Sequence, residues 1–118
     1  MSQITRIDCK KRYSEIVIHN NTVYLSGQVS WQFEDYDFMI QAEDVFTSID
    51  TQLKRANTDK TKILSLTIYL RDPEDYDAMN VAFEKWMPEG CAPARATIGN
   101  VKFPNPKWQI EIVVIASL

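Results

Sequence analysis

Two stretches of this chain alternate apolar and polar residues, and only a β-sheet can bury both. Between Ile63 and Leu70, the residues Leu64, Leu66, Ile68 and Leu70 fall on one face, and Ser65, Thr67 and Tyr69 on the other. That is the period of a half-buried strand. Near the end, Trp108–Ala116 repeats the pattern, with Glu111 set among apolar neighbours. Upstream, the β-rich runs Glu15–Asn20 and Thr22–Gly27 flank Asn20-Asn21, a dipeptide that tolerates positive φ, so a hairpin is predicted there. Shorter strands are expected at Ile4–Ile7 and Ala94–Val101, with a turn at Phe103-Pro104-Asn105-Pro106 before the last strand.

Two segments carry the other period. Phe38, Ala42, Val45, Phe46, Ile49 and Leu53 recur at three- and four-residue steps, predicting a helix from about Phe38 to about Ala56. Asp72 is placed to cap a second helix, with Pro73 at its first position and Glu74 and Asp75 favouring the positive end of its dipole. Tyr76, Met79, Phe83 and Trp86 carry it to about Met87, where Pro88-Glu89-Gly90 stops it. No repeat or linker divides the 118 residues, so 1–118 reads as a single domain of order β-β-β-α-β-α-β-β. The fold class is α+β: one mixed sheet with both helices on one face. Leu25, Ile68, Ile110 and Ile112 suggest more apolar strand surface than two helices can hide, which implies self-association. Residues 29–37 form a connection with no predicted shape.

Composition removes several kinds of chemistry. With 13 basic and 16 acidic residues the net charge is −3, so no positive field offsets nucleic-acid phosphates. Lys10-Lys11-Arg12 is read as a solvated face. His19 is the one histidine, too few for a His-rich zinc site, and it is read as a strand residue paired across the hairpin. Glycines at 27, 90 and 99 make neither a GxGxxG fingerprint nor a P-loop. Cys9 and Cys91 form no disulfide framework and are expected to be small buried or half-buried side chains. No apolar run approaches the ~20 residues of a membrane span, and the first residues lack a signal-peptide core. The expectation is a cytoplasmic protein with no membrane partner.

The ionisable and polar residues then leave alternatives open. Arg95, among the small residues of Ala92–Thr97, needs an anion: an internal carboxylate, or a ligand carboxylate bound bidentately. Glu111 is either a solvated edge residue or a partly buried carboxylate with a raised pKa, able to exchange a proton near neutrality. Ser26 with Gly27 ends a strand, as a plain turn or as a contact for a small ligand. Tyr13 and Asn80 are unremarkable alone, and Met79, Phe83 and Trp86 read as core. The residues by themselves reach an α+β protein with a candidate small-anion site.

At these positions the sequence resembles the RidA/YjgF family of reactive-intermediate deaminases, from Tyr13 to Ala116. The resemblance is carried by Tyr13, Tyr24-Leu-Ser-Gly-Gln28, Thr67-Ile-Tyr-Leu-Arg-Asp72, Tyr76–Phe83 with its Asn80, Ala92-Pro-Ala-Arg-Ala96 and Gln109-Ile-Glu-Ile-Val113. It implies a chorismate-mutase-like fold and a homotrimer with sites in the clefts between subunits. It also implies cofactor-free, metal-free hydrolysis of enamine- or imine-derived 2-imino acids, such as those from 2-aminoacrylate, to 2-oxo acids and ammonia. Arg95 then clamps the substrate carboxylate and Glu111 handles the water or the leaving nitrogen. Ser26 and the backbone around Thr97 line the pocket, Tyr13 of a neighbouring subunit closes it, and Asn80 supports it. The chain departs from the family pattern at Thr97, where many relatives have Cys, and at Lys11-Arg12, where Gly-Pro is usual. Trp31, Phe33 and Tyr36 follow Gln28 in place of the customary proline, and the loop before Arg95 is short. These departures mark a divergent subgroup. The alternative function is a non-catalytic binder or sensor of small carboxylates such as 2-oxo acids on the same scaffold. An RNA-cleaving role, a label some relatives carry, is disfavoured by the acidic balance and the lone histidine.

Overall fold

The computed structural model describes residues 3–118; Met1 and Ser2, the start of the expected 1–118 domain, lie outside the described residues. Among the described residues the strands are β1 (Thr5–Cys9), β2 (Ser14–His19), β3 (Thr22–Leu25), β4 (Ile63–Leu70), β5 (Ala94–Ile98) and β6 (Ile110–Ser117). The helices are α1 (Phe38–Arg55) and α2 (Tyr76–Trp86). The sheet order is β1-β2-β3-β6-β4-β5, antiparallel except for the β4–β5 pair. The mixed sheet with both helices against one face matches the expectation.

Local chemistry sets the elements. Asn20 and Asn21 both adopt positive φ, 51° and 61°, which suits the two-residue turn of the β2–β3 hairpin. His19 pairs with Thr22 across that turn, as expected. The Asp37 carboxylate accepts from the Ile40 amide at 3.1 Å and caps α1. Asn57, at φ 61°, turns the chain out just beyond Ala56. Asp72 does cap, but its carboxylate bonds the Glu74 amide at 2.9 Å. The first turn, Pro73–Asp75, is therefore a 3-10 turn, and the α-helix starts at Tyr76.

The core lies between the helices and the facing strand residues. Phe38, Ala42, Val45, Phe46, Ile49 and Leu53 of α1 are buried with Met79, Ala82 and Phe83 of α2. They meet Leu66, Ile68 and Leu70 of β4 and Ile110, Ile112, Val114 and Ala116 of β6. Several expectations need correction. Leu25, Ile68, Ile110 and Ile112 are all at most 4% exposed beneath the helices, so they leave no apolar surface to cover. The opposite face carries Tyr24, Val113 and Ile115, which the hairpin and β6 leave half-buried or exposed. Leu64 is 52% exposed, because a bulge between Ile63 and Ser65 makes it the extra residue and turns it outward. Cys9 is exposed at the end of the outer strand β1, whereas Cys91 is half-buried.

The strand ends also move for physical reasons. β1 runs from Thr5 rather than Ile4, which is 50% exposed. β5 stops at Ile98, before Gly99 and the positive-φ Asn100. β6 begins at Ile110 because the Trp108 amide donates to the Asn105 carbonyl at 3.1 Å and the Gln109 amide to Gln41 Oε1 at 3.0 Å. Gln41 is fully buried in α1, and its Nε2 also donates to the Lys107 and Glu34 carbonyls at 3.0 and 3.2 Å. One side chain thus fastens residues 34 and 107–109 to the helix. Gln41→Ala strands the part-buried Gln109 amide and frees the 31–36 segment. It is expected to lower unfolding stability by about 2–3 kcal/mol, read from the urea midpoint.

Candidate active site

The site is built where β3 leaves its partner. Tyr24 pairs with Ile115, and the next bridge joins Gln28 to Ile112, so one more residue lies on the first strand than on β6. This is a β-bulge, and it displaces Ser26 and Gly27 from the ladder. The backbone on either side stays fixed: the Ser26 amide donates to the Glu15 carbonyl at 3.0 Å, and Gln28 and Ile112 exchange two bonds of 2.8 and 3.0 Å. The buried Gln28 side chain donates to the Ser26 carbonyl at 2.9 Å and accepts from Ser48 Oγ at 2.6 Å. Gly27 then leaves room for an acid: a Cβ there would overlap the Glu111 carboxylate, whose Cδ lies 2.9 Å from that position.

A cavity of about 690 Å³ opens here, lined by Tyr13, Ser26, Gly27 and Glu111 among others. Three of the expected site residues, Tyr13, Ser26 and Glu111, therefore come together. Burial raises the Glu111 carboxyl above its ordinary value of 4.5. That decides between the two readings of this residue in favour of the partly buried acid. Lys10, Glu15, Gln28, Ser48, Gln52, Trp31 and Trp108 also line the cavity, and none of them was expected as a site residue. Glu15 holds Lys10 Nζ at 3.1 Å and accepts from Gln52 Nε2 at 3.0 Å. Lys10 thus reaches the rim of the pocket while staying exposed like Lys11 and Arg12, as expected of a solvated basic face. The spacing of Lys10 gave no signal, since one strand residue decides which lysine of a basic run reaches the rim.

Arg95, Thr97 and Asn80 are not in this cavity. Arg95 and Thr97 sit on β5, which pairs with β4 on one side and is the edge of the sheet. Register places Arg95 beside Leu66 and Thr97 beside Ile68, on the helix-facing side, whereas Glu111 pairs with Tyr69 and faces the other way. Glu111 and Ile98 flank the same Tyr69, so two strand spacings and three residues separate the Glu111 and Arg95 Cα atoms by roughly 14 Å. Within one chain they cannot grip one small molecule. Among the described residues no carboxylate lies within salt-bridge distance of Arg95, which removes the internal-carboxylate reading. The guanidinium lies 5.0 Å from the Phe83 ring centroid and donates to Tyr76 Oη at 3.4 Å. Thr97 Oγ1 is buried and, among the described residues, has no hydrogen-bond partner. Asn80 is half-buried on α2 and, among the described residues, makes no side-chain hydrogen bond. Among the described residues no group of three or more His, Cys, Asp or Glu is gathered closely enough to hold a metal ion.

A family profile described as endoribonuclease L-PSP matches residues 3–118. A RutC family protein of Haemophilus ducreyi is 42% identical over 115 residues, 98% of this chain and 97% of its own. The chain belongs to the RutC/YjgF family. A crystal structure of a YjgF family member from Neisseria meningitidis superposes with a TM-score of 0.92 at 36% identity, covering 98% of this chain and 94% of that one. A more distant relative from Dermatophagoides farinae, named 2-iminobutanoate/2-iminopropanoate deaminase, is 27% identical over 109 residues, 87% of this chain and 84% of its own. The family and its fold are thus those the sequence motifs implied. In addition, no helix among the described residues is long and apolar enough to cross a membrane.

The raised Glu111 pKa carries a sign. A carboxyl whose folded-state pKa lies above its unfolded value favours folding when protonated, and that contribution is lost as pH rises through the folded value. Glu111→Gln removes the charge but keeps the shape. Its melting temperature is therefore expected to exceed wild type at pH 7, and the difference to shrink below pH 4.5, in a fluorimetric melt across pH.

Proposed function

We propose that the chain is a cytoplasmic deaminase of reactive 2-imino acids, forming 2-oxo acids and ammonia, with its 1–118 domain assembled as a homotrimer. The observation that supports this most is the division of the polar groups. A carboxylate of raised pKa lies in a cavity beside Ser26 and Tyr13. A cation that, among the described residues, has no carboxylate partner waits on the sheet edge. A second copy docked along that edge brings its Arg95 and Thr97 over the first copy's cavity.

The chemistry is hydrolysis without change of oxidation state. Arg95 of one copy takes the substrate carboxylate through two parallel hydrogen bonds and fixes the imine carbon. Ionised Glu111 of the other accepts a proton from water as the water oxygen bonds to the carbon of the protonated imine and the C=N π pair moves to nitrogen, giving a neutral carbinolamine. Glu111 returns that proton to the amino nitrogen. The C–N bond then breaks and ammonia leaves as the hydroxyl gives its proton to Glu111 and its O–H pair closes the C=O bond; Glu111 finally passes this proton to ammonia. Ser26 and the backbone around Thr97 provide polar lining, Tyr13 closes the mouth, and Asn80 supports the Arg95 side from α2. A pKa moved up toward neutrality suits Glu111 to these proton steps. Imines hydrolyse readily in water, so orientation and one proton shuttle supply what is needed.

The test generates imino acids with an L-amino-acid oxidase and traps them with semicarbazide. Wild-type protein is expected to reduce semicarbazone formation. Arg95→Ala is expected to lower kcat/KM at least about 100-fold, the equivalent of two charged hydrogen bonds, and Glu111→Gln by about 100-fold or more. Full binding of a 2-oxo acid with no hydrolysis would replace the enzyme by a small-carboxylate sensor.

The assembly is tested separately. Light scattering is expected to give about three times the 13.7 kDa chain mass. Unfolding and refolding the two inactive variants together in equal amounts should restore roughly a quarter of wild-type activity, because sites pairing an intact Arg95 with an intact Glu111 then form across subunits. No recovery from trimeric hybrids would sink the shared site.

A further inference from the structure

Trp31 stands in the cavity wall in a way that the hydrolysis itself does not require. It is 67% exposed, yet the chain on both sides of it is fixed. Val29 and Ser30 are buried, and Ser30 Oγ donates to Asp44 at 2.8 Å. Beyond it, the Tyr36 amide closes a turn onto the Phe33 carbonyl at 3.1 Å, and Gln41 holds the Glu34 carbonyl. The indole meets that of Trp108 edge to face, 4.9 Å between centroids and 86° between planes. Both rings line the Glu111 cavity. A large apolar ring kept in water on a pinned backbone, against a second ring, is a preformed contact for a flat apolar group.

We infer that Trp31, braced against Trp108 at the Glu111 cavity, is a specificity-determining residue that selects 2-imino acids with planar aromatic side chains. The inference rests on the deaminase reading for its reaction, but not for its binding preference. The carboxylate and imine carbon lie toward Glu111, and the aromatic ring packs against the indole pair.

The test compares the imines made from L-phenylalanine and L-alanine, in wild type, Trp31→Ala and Trp31→Phe. Wild type is expected to favour the aromatic imine in kcat/KM. Trp31→Ala should lower the aromatic-to-small ratio about threefold to tenfold, the range of one aromatic pair, and Trp31→Phe should restore most of it. Calorimetric titration with phenylpyruvate and pyruvate reads the same preference without turnover. If neither imine is hydrolysed but phenylpyruvate binds more tightly through Trp31, the deaminase reading fails and the aromatic assignment stands. If hydrolysis proceeds and neither ratio responds to Trp31→Ala, the assignment fails and the deaminase reading stands. A Trp31→Ala protein of smaller mass by light scattering would make Trp31 a subunit contact and overturn the assignment as well.

Discussion

The insertion of β6 between β3 and β4 is the contact on which the rest of the structure depends. Without it, the β1–β2–β3 meander and the β4–α2–β5 unit would be two separate sheets sharing only α1. The last strand pairs with β4 over seven register positions, from Ile63↔Ala116 to Leu70↔Ile110. On its other edge it takes Thr22–Tyr24 of β3. Its alternation then does two things at once. Ile110, Ile112, Val114 and Ala116 complete the core beneath the helices, while Glu111 is sent to the opposite face, beside the bulge after β3. The pairing joins residues nearly a hundred positions apart, so most of the chain must be ordered before the cavity exists.

Much of this was legible in the sequence because local rules and the tertiary structure agree. The Asn20-Asn21 turn, the Phe38-to-Ala56 span of α1 and the Asp72 cap each follow from side-chain chemistry that acts within a few residues. The family motifs add Ser26-Gly27-Gln28 and Glu111. The structure gives these a physical reason: Gly27 is small because the acid lies against it, and Gln28 is polar and buried because it ties the bulge to α1 through Ser48.

What the sequence did not reveal lies where two distant segments compete for the same backbone groups. Leu64 fits the alternation of β4 as well as Leu66 does, and only the slip against β6 at Ile63 and Ser65 turns it outward. Trp108 and Gln109 look like strand, but Asn105 and Gln41 claim their amides first. Residues 29–37 carry no period because their order comes from single long-range bonds, to Asp44, Gln41 and Asn105. For the same reason Trp31 and Trp108, 77 positions apart in sequence, could not be seen to share a wall. Lys10 was hidden differently: its neighbours are equally basic, and only contact with Glu15 singles it out.

The separation of Arg95 from Glu111 follows from the same sheet geometry. In a strand, odd and even positions face opposite sides, so residues on β5 and β6 share a face only if the register through β4 puts them there. Here Tyr69 brings Ile98, not Arg95 or Thr97, level with Glu111. Each half of the chain is consequently left with an unsatisfied group. Among the described residues, Thr97 Oγ1 on the edge strand and Trp108 Nε1 beside the cavity are both buried without a hydrogen-bond partner, at a cost that native structures seldom leave uncompensated. In the proposed assembly, a substrate carboxylate held between two copies would give Arg95 its anion. Under the proposed function, the same constraint makes association useful. One chain can shape an acid with a raised pKa or expose a clean cation on a sheet edge, but placing both on one face would neutralise the pair before any substrate arrived.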